Sequence, residues 1–135
     1  MNRFKKIHTI LYVDSHELSS GFYEKVFRIP PKLNVPGMTE FELFADFTLG
    51  LMPNSGISKI LQGQTADPAT GTGIPRCELY LYVDDVEAEY ENAVAMGANI
   101  ISPLLIRNWG DLAFYLADPD GHIIVFAAKI KKPAP

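Results

Sequence analysis

Leu11-Tyr12-Val13-Asp14 recurs 70 residues later as Leu81-Tyr82-Val83-Asp84, and each copy runs into a stretch with helical apolar spacing. A second pair follows in the same order, Leu43-Phe44-Ala45-Asp46 and Tyr115-Leu116-Ala117-Asp118, each leading into another apolar, strand-like segment. One tetrapeptide match could arise by chance; two in one order point to a duplicated unit. Each unit reads as strand, helix, then three short strands.

The opening strands are Ile7 to Val13 and Glu78 to Val83, rich in β-branched and aromatic residues. The first helix is expected from about Ser15 to Phe27, with Ser15 as cap and Leu18, Phe22 and Val26 as its apolar stripe. The second starts at Asp84 or Asp85, with Glu87 three residues after Asp84 as in a capping box, and ends at Gly97. Its stripe reads Val86, Tyr90, Ala93 and Val94. Later strands are expected near Leu33 to Val35, Glu40 to Ala45, Phe47 to Met52, Ile100 to Ile106, Leu112 to Ala117 and Ile123 to Ala128, with Asp118-Pro119-Asp120-Gly121 turning the last hairpin. The glycine- and proline-bearing stretch 54–75 reads as a linker with at most a helical turn around Ile57 to Leu61. The organisation expected is one domain over 1–135: module one over about 5–53, the linker, module two over about 76–130, and a flexible tail over 131–135.

Composition narrows the function. At 135 residues, 47% hydrophobic and 21% charged, the chain suits one compact domain and leaves no room for a second of full size. Twelve basic against sixteen acidic residues give a net charge of −4, which disfavours nucleic-acid backbones and anionic membranes as partners. No apolar run approaches the ~20 residues that cross a bilayer, and no secretory signal is legible. The lone Cys77 cannot form an internal disulfide and is compatible with a cytoplasmic location. It is expected to be a small buried hydrophobe on the helix-covered face.

Side chains alternate across a strand, so Leu79, Leu81 and Val83 share one face of the second opening strand, and Glu78, Tyr80 and Tyr82 the other. In the first copy His8, Ile10 and Tyr12 oppose Ile7, Thr9, Leu11 and Val13. The helices should cover the leucine and valine sets. His8 and Glu78, related by the same offset of 70, fall on the uncovered faces.

His8-Thr9-Ile10-Leu11-Tyr12-Val13, then Phe22-Tyr23 and Val26, then Asp118-Pro119-Asp120-Gly121-His122 before a last apolar strand, resemble the vicinal oxygen chelate superfamily. That group holds glyoxalases, extradiol dioxygenases, and fosfomycin- and bleomycin-resistance proteins. The resemblance covers nearly the whole chain and implies an α+β fold: two tandem βαβββ modules forming a cupped mixed sheet, usually in a homodimer, with the ligand inside the cup. In metal-dependent members one ligand sits on each opening strand and one on each closing strand. His8 falls on the first of these positions and Glu78 on its counterpart, so a divalent metal, if present, would use these two. The closing strands place Gly50 and Val125 where carboxylates are expected, and neither offers a ligand atom. A catalytic zinc site takes about three protein ligands, so no metal cofactor is expected.

The ligand-binding candidates are His8, Glu78, Tyr80, Tyr82, Trp109, Phe44, Phe114 and Glu42. The aromatic residues could stack flat rings or hold cations, although strand aromatics also serve as plain packing. His8 is either a ligand or acid-base group, or a histidine satisfied by a neighbour; Glu78 and Glu42 either add negative charge to the cup or lie in water. His16 and His122 read as structural or solvent-facing. The first reading is a metal-free small-molecule binding protein resembling the bleomycin-resistance branch, which sequesters an aromatic or cationic compound. The alternatives are a metal-dependent lyase, isomerase or dioxygenase using His8 and Glu78, with Glu42 as a further ligand, and a metal-free enzyme in which His8 and Glu78 move protons.

Overall fold

The structure is a computed structural model that describes residues 3–130; the expected tail over 131–135 lies outside the described residues. The chain divides into two compact units between Gly73 and Ile74. In the first, strand β1 (Ile7–Val13) is followed by helix α1 (His16–Phe27) and strands β2 (Leu33–Val35), β3 (Met38–Phe44) and β4 (Phe47–Pro53). In the second, β5 (Glu78–Tyr82) is followed by α3 (Val86–Ala95), β6 (Asn99–Ile106), β7 (Asp111–Ala117) and β8 (Ile123–Lys129).

The two units repeat one topology. Their sheets have the orders β1-β4-β3-β2 and β5-β8-β7-β6, and in each the opening strand pairs in parallel with the closing strand while the remaining pairs are antiparallel. This is the expected α+β arrangement of two βαβββ modules. The second tetrapeptide echo also finds its place: Asp46, in the left-handed region at φ 62°, turns β3 into β4, and Asp118 opens the turn between β7 and β8. The Asp118 carboxylate accepts from the backbone N–H groups of Asp120 (2.9 Å) and His122 (2.8 Å), and Gly121 supplies a φ of 90°.

Helix α1 starts where the Ser15 side chain accepts the Leu18 N–H at 3.1 Å. Its buried stripe is Ser19, Tyr23 and Val26, whereas Leu18 is 61% exposed. Strict spacing of four drifts around a helix of 3.6 residues per turn, so the expected Leu18 stripe lies beside the true one. Tyr23 and Val26 pack with Phe41, Leu49, Leu51 and Val13 in the first core, and Tyr23, Phe27 and Phe41 form a ring cluster with centroids 5.4–6.4 Å apart. Helix α3 is capped by Asp85, whose carboxylate accepts the Ala88 N–H at 3.0 Å; the capping box from Asp84 does not form. Its chain leaves through Gly97 at φ 76°, and Val94, expected on the apolar stripe, is exposed.

Three expectations need correction. The 54–75 stretch is not an open linker: Asn54–Leu61 forms helix α2, which buries Ile57 and packs on β1 and β4, and Pro68–Gly71 forms a 3₁₀ turn capped by Asp67. Cys77 is exposed, because it precedes β5 rather than lying within it. Phe114 lies in the second core, stacked on Phe126 at 5.3 Å and edge-on to Tyr90 of α3 at 4.9 Å. Among the described residues no helix is long and apolar enough to cross a membrane.

Phe114→Ala should lower the unfolding free energy by about 3–5 kcal/mol, the usual cost of emptying a buried aromatic site. Phe44→Ala, at a side chain 77% exposed, should change it by less than about 0.5 kcal/mol. Urea denaturation of both variants measures the difference.

Candidate binding faces of the two units

In the first unit, register places His8 beside Thr48 and Ile10 beside Gly50 on the parallel side, and Glu42 beside Thr48 and Glu40 beside Gly50 on the antiparallel side. His8, Ile10, Glu40 and Glu42 therefore share the face opposite the α1 core. His8 Nδ1 lies 3.7 Å from Glu40 Oε2. Gly50, between Ile10 and Glu40 in register, adds no side chain to this face. A methyl group there would stand 3.1 Å from Ile10 Cγ1 and 3.4 Å from Met38 Sδ, so these side chains already fill the space above the glycine. Glu42 is bonded to Lys32 at 2.7 Å; that bond holds its carboxyl below the ordinary range and raises the Lys32 ammonium. Phe44 does not join this face. A β-bulge between Glu42 and Phe44 brings Phe44 into register with Phe47, one side-chain direction away from the Glu42 row.

In the second unit the face opposite α3 carries Glu78, Tyr80 and Tyr82 of β5, Val125, Ala127 and Lys129 of β8, and Asp111, Ala113 and Tyr115 of β7. Val125, Ala113 and Ala127 are fully buried, with Tyr80, Tyr115 and Ile123 packed on them. Val125, aligned by the resemblance with a metal-binding carboxylate, is thus an alkyl floor beneath aromatic rings.

Asp111 organises this face. It is only 2% exposed, and its Oδ2 accepts two phenolic protons, from Tyr80 at 2.6 Å and from Tyr82 at 2.8 Å. Trp109 Nε1 donates to the Tyr80 oxygen at 2.9 Å, so indole, phenol and carboxylate form one chain. The Tyr80 and Tyr82 rings stand 5.3 Å apart, tilted by 60°. Lys129, register partner of Asp111, sets its Nζ 4.8 Å from the centre of the Tyr82 ring. Arg107 fixes the turn that carries Trp109. Its guanidinium donates to the carbonyls of Ala113 (2.8 Å) and Pro103 (2.7 Å) and to Ser102 Oγ (3.0 Å), and Gly110 closes the turn at φ 93°.

These contacts shift the protonation of the cluster. Burial, and then the hydrogen bond to Asp111, push the Tyr80 hydroxyl from 10.0 up to about 12. The Asp111 carboxyl is held below its ordinary value, first by the Tyr80 bond and also by Tyr82 and the Lys129 charge, against the effect of burial. Burial raises Tyr115 as well, with the Glu78 charge adding to it.

Of the residues expected at the site, Tyr80, Tyr82 and Trp109 come together around Asp111, Glu78 shares their face and is exposed, and Phe114 lies beneath the sheet. His8 pairs with Glu40 in the first unit, Glu42 is taken by Lys32, and Phe44 points elsewhere. His16 Nε2 is 2.6 Å from Thr39 Oγ1, and the His122 backbone closes the Asp118 turn. Asp111, Lys129 and Glu40 are functional candidates that sequence reasoning missed. The available signal for Asp111 was an acidic residue at a strand start directly after Arg107-Asn108-Trp109-Gly110.

A duplicated βαβββ unit with such open faces defines a class, and similarity to known proteins supplies the family. The family model for the Glyoxalase-like domain matches residues 6–131, and the chain belongs to that family, within the vicinal oxygen chelate superfamily. An uncharacterized protein of Mycobacterium bovis is 30% identical over 115 residues, 83% of this chain and 75% of the relative. An uncharacterized protein of Mycobacterium tuberculosis H37Rv is 30% identical over 115 residues, 83% of this chain and 67% of the relative. Among solved structures, a glyoxalase-related enzyme from Fulvimarina pelagi has a TM-score of 0.78 at 24% identity, covering 95% of this chain and 89% of its own. A glyoxalase/bleomycin resistance protein/dioxygenase from Nocardioides has a TM-score of 0.78 at 19% identity, covering 100% and 89%. These structural likenesses establish the fold.

Ultraviolet titration of the tyrosines should find Tyr80 ionising near pH 12, and Asp111→Asn should move it back toward 10. Because the folded value lies above the unfolded one, Tyr80 contributes stability fully below pH 10 and loses it as the pH rises to about 12. The Asp111 contribution has the opposite sign: it is present above the ordinary carboxylate value of 3.8 and is lost as the pH falls through the depressed one. Denaturant midpoints across both ranges, compared with those of Asp111→Asn, measure the two limbs.

Proposed function

We propose that this protein is a small-molecule binding protein that captures a flat aromatic or cationic organic compound on the aromatic face of its second unit, without a metal ion. The observation that carries the reading is the convergence of Tyr80, Tyr82 and Trp109 on the buried Asp111. Tyr82 and Trp109 are 54% and 55% exposed, so their rings present area to solvent while their polar ends are satisfied inside the cluster. Such rings give contact area at little conformational cost, because their rotamers are already fixed.

The chemistry of the donor set supports the metal-free part. At the four positions where the family resemblance calls for ligands stand His8, Gly50, Glu78 and Val125, two of which have no donor atom. Ile10 and Met38 fill the space above Gly50, and Val125 lies beneath packed rings. These residues do not fit the three-ligand requirement of a catalytic zinc.

Trp109 is the only tryptophan, so its fluorescence reports directly on the face. Titration with a panel of flat neutral and cationic aromatic compounds should find saturable quenching, and Tyr82→Leu should weaken the best binder roughly tenfold, the scale of one lost aromatic contact. Absence of any binder in the panel, together with stoichiometric metal in protein purified without chelator, would overturn the reading.

A second reading rests on the first unit. His8 and Glu40 at 3.7 Å form a carboxylate–imidazole pair suited to moving a proton from a bound molecule. On this reading, deuterium exchange into the α-position of small carbonyl compounds proceeds with the wild-type protein and is lost in both His8→Gln and Glu40→Gln. Exchange that persists in either variant removes it.

A further inference from the structure

The cation over Tyr82 is the protein's own. Lys129 is exposed at the end of β8, its register partner is Asp111, and its Nζ stands 4.8 Å from the centre of a ring that is itself 54% exposed. The Tyr82 phenol donates to the Asp111 carboxylate at 2.8 Å, a bond that shifts electron density from the hydroxyl into the ring and strengthens its attraction for positive charge. Exposed contacts of this kind are weak. A lysine ammonium is compact and strongly hydrated, so it gives up much water to sit on a ring. An alkylated ammonium gives up less, and it carries methyl groups that bury apolar area against Tyr82 and Trp109.

We infer that Lys129 is an internal stand-in for the ligand: the Tyr82 face is a cation seat, its guest is an alkylated ammonium attached to a flat ring, and binding requires Lys129 to leave. This rests on the binding reading above and narrows it to one ligand class. It also makes Lys129 the residue that sets affinity, through occupation of the seat rather than through contact with the guest.

The test uses the full chain and an isosteric pair, (3-hydroxyphenyl)trimethylammonium and 3-tert-butylphenol, titrated calorimetrically and by Trp109 fluorescence. Lys129→Met should tighten the cation roughly three- to fivefold, the value of one exposed cation–π contact, and leave the neutral phenol unchanged. Lys129→Arg, which keeps a cation over the ring, should show no gain. Lys59→Met removes the same charge elsewhere in the chain and should also show none, and the Lys129→Met gain should persist in high salt. If the wild type binds the cation and Lys129→Met binds it no tighter, or more weakly, the stand-in role is wrong while the binding reading stands. An equal gain for the neutral phenol, or for Lys59→Met, likewise overturns the stand-in role, because clearance or net charge then explains it. If neither probe nor any flat compound binds any variant, the binding reading itself fails and this inference fails with it.

Discussion

A carboxylate taken out of water must find partners, and the second unit is arranged around that requirement. Asp111 is 2% exposed and has two phenols bonded to one oxygen. Leaving such a group without partners would carry the full penalty of its desolvation. The same bonds immobilise the Tyr80 and Tyr82 rings, and the indole N–H bonded to Tyr80 immobilises Trp109 in turn. Arg107 and Gly110 hold the turn from the other side, so the rings are positioned by a network in which each polar end is used.

The first unit takes the same backbone in another direction. Ile10 beside Gly50 matches Tyr80 beside Val125, and His8 beside Thr48 matches Glu78 beside Ile123. Where the second unit stacks a tyrosine on a valine, the first has an isoleucine leaning over a glycine, and Glu40 of β3 lies 3.7 Å from His8. Duplication preserved the register and let the exposed faces diverge. The strand geometry is set by backbone pairing and the buried leucine and valine rows facing the helices, so the opposite faces can carry different side chains on one register.

The elements fixed by local chemistry are legible in the sequence. The opening strands, the Ser15 cap, the Gly97 stop and the Asp118-Pro119-Asp120-Gly121 turn each depend on residues within a few positions of one another. Tyr80 and Tyr82 are legible as aromatic candidates because alternation along β5 separates them from Leu79 and Leu81, and Trp109 because it stands in the turn just before β7. Phe114 is not, since its face depends on how β7 registers with β8, and Phe44 is turned away by a single inserted residue in β3. Helix α2 hides in a stretch whose glycines and prolines read as breakers, and it is held by the burial of Ile57. Asp111 escapes for a different reason: its phenol partners are 29 and 31 residues distant, and only the sheet order brings them together.

What this network leaves facing outward determines what it is suited to hold. The Tyr80 and Tyr82 hydroxyl protons go to Asp111 and the indole proton goes to Tyr80, so the donors that would bind an anion or a sugar hydroxyl are consumed inside the cluster. The carboxylate stays ionised, held there by those same bonds. Ring faces backed by a fixed negative charge remain, and such rings attract positive charge spread over an apolar body. Lys129 over Tyr82 shows how the chain itself uses that attraction. The preference for an organic cation proposed above would follow from the wiring of the phenols, because a hydrogen bond that fixes a ring also removes its hydroxyl as a donor to any guest.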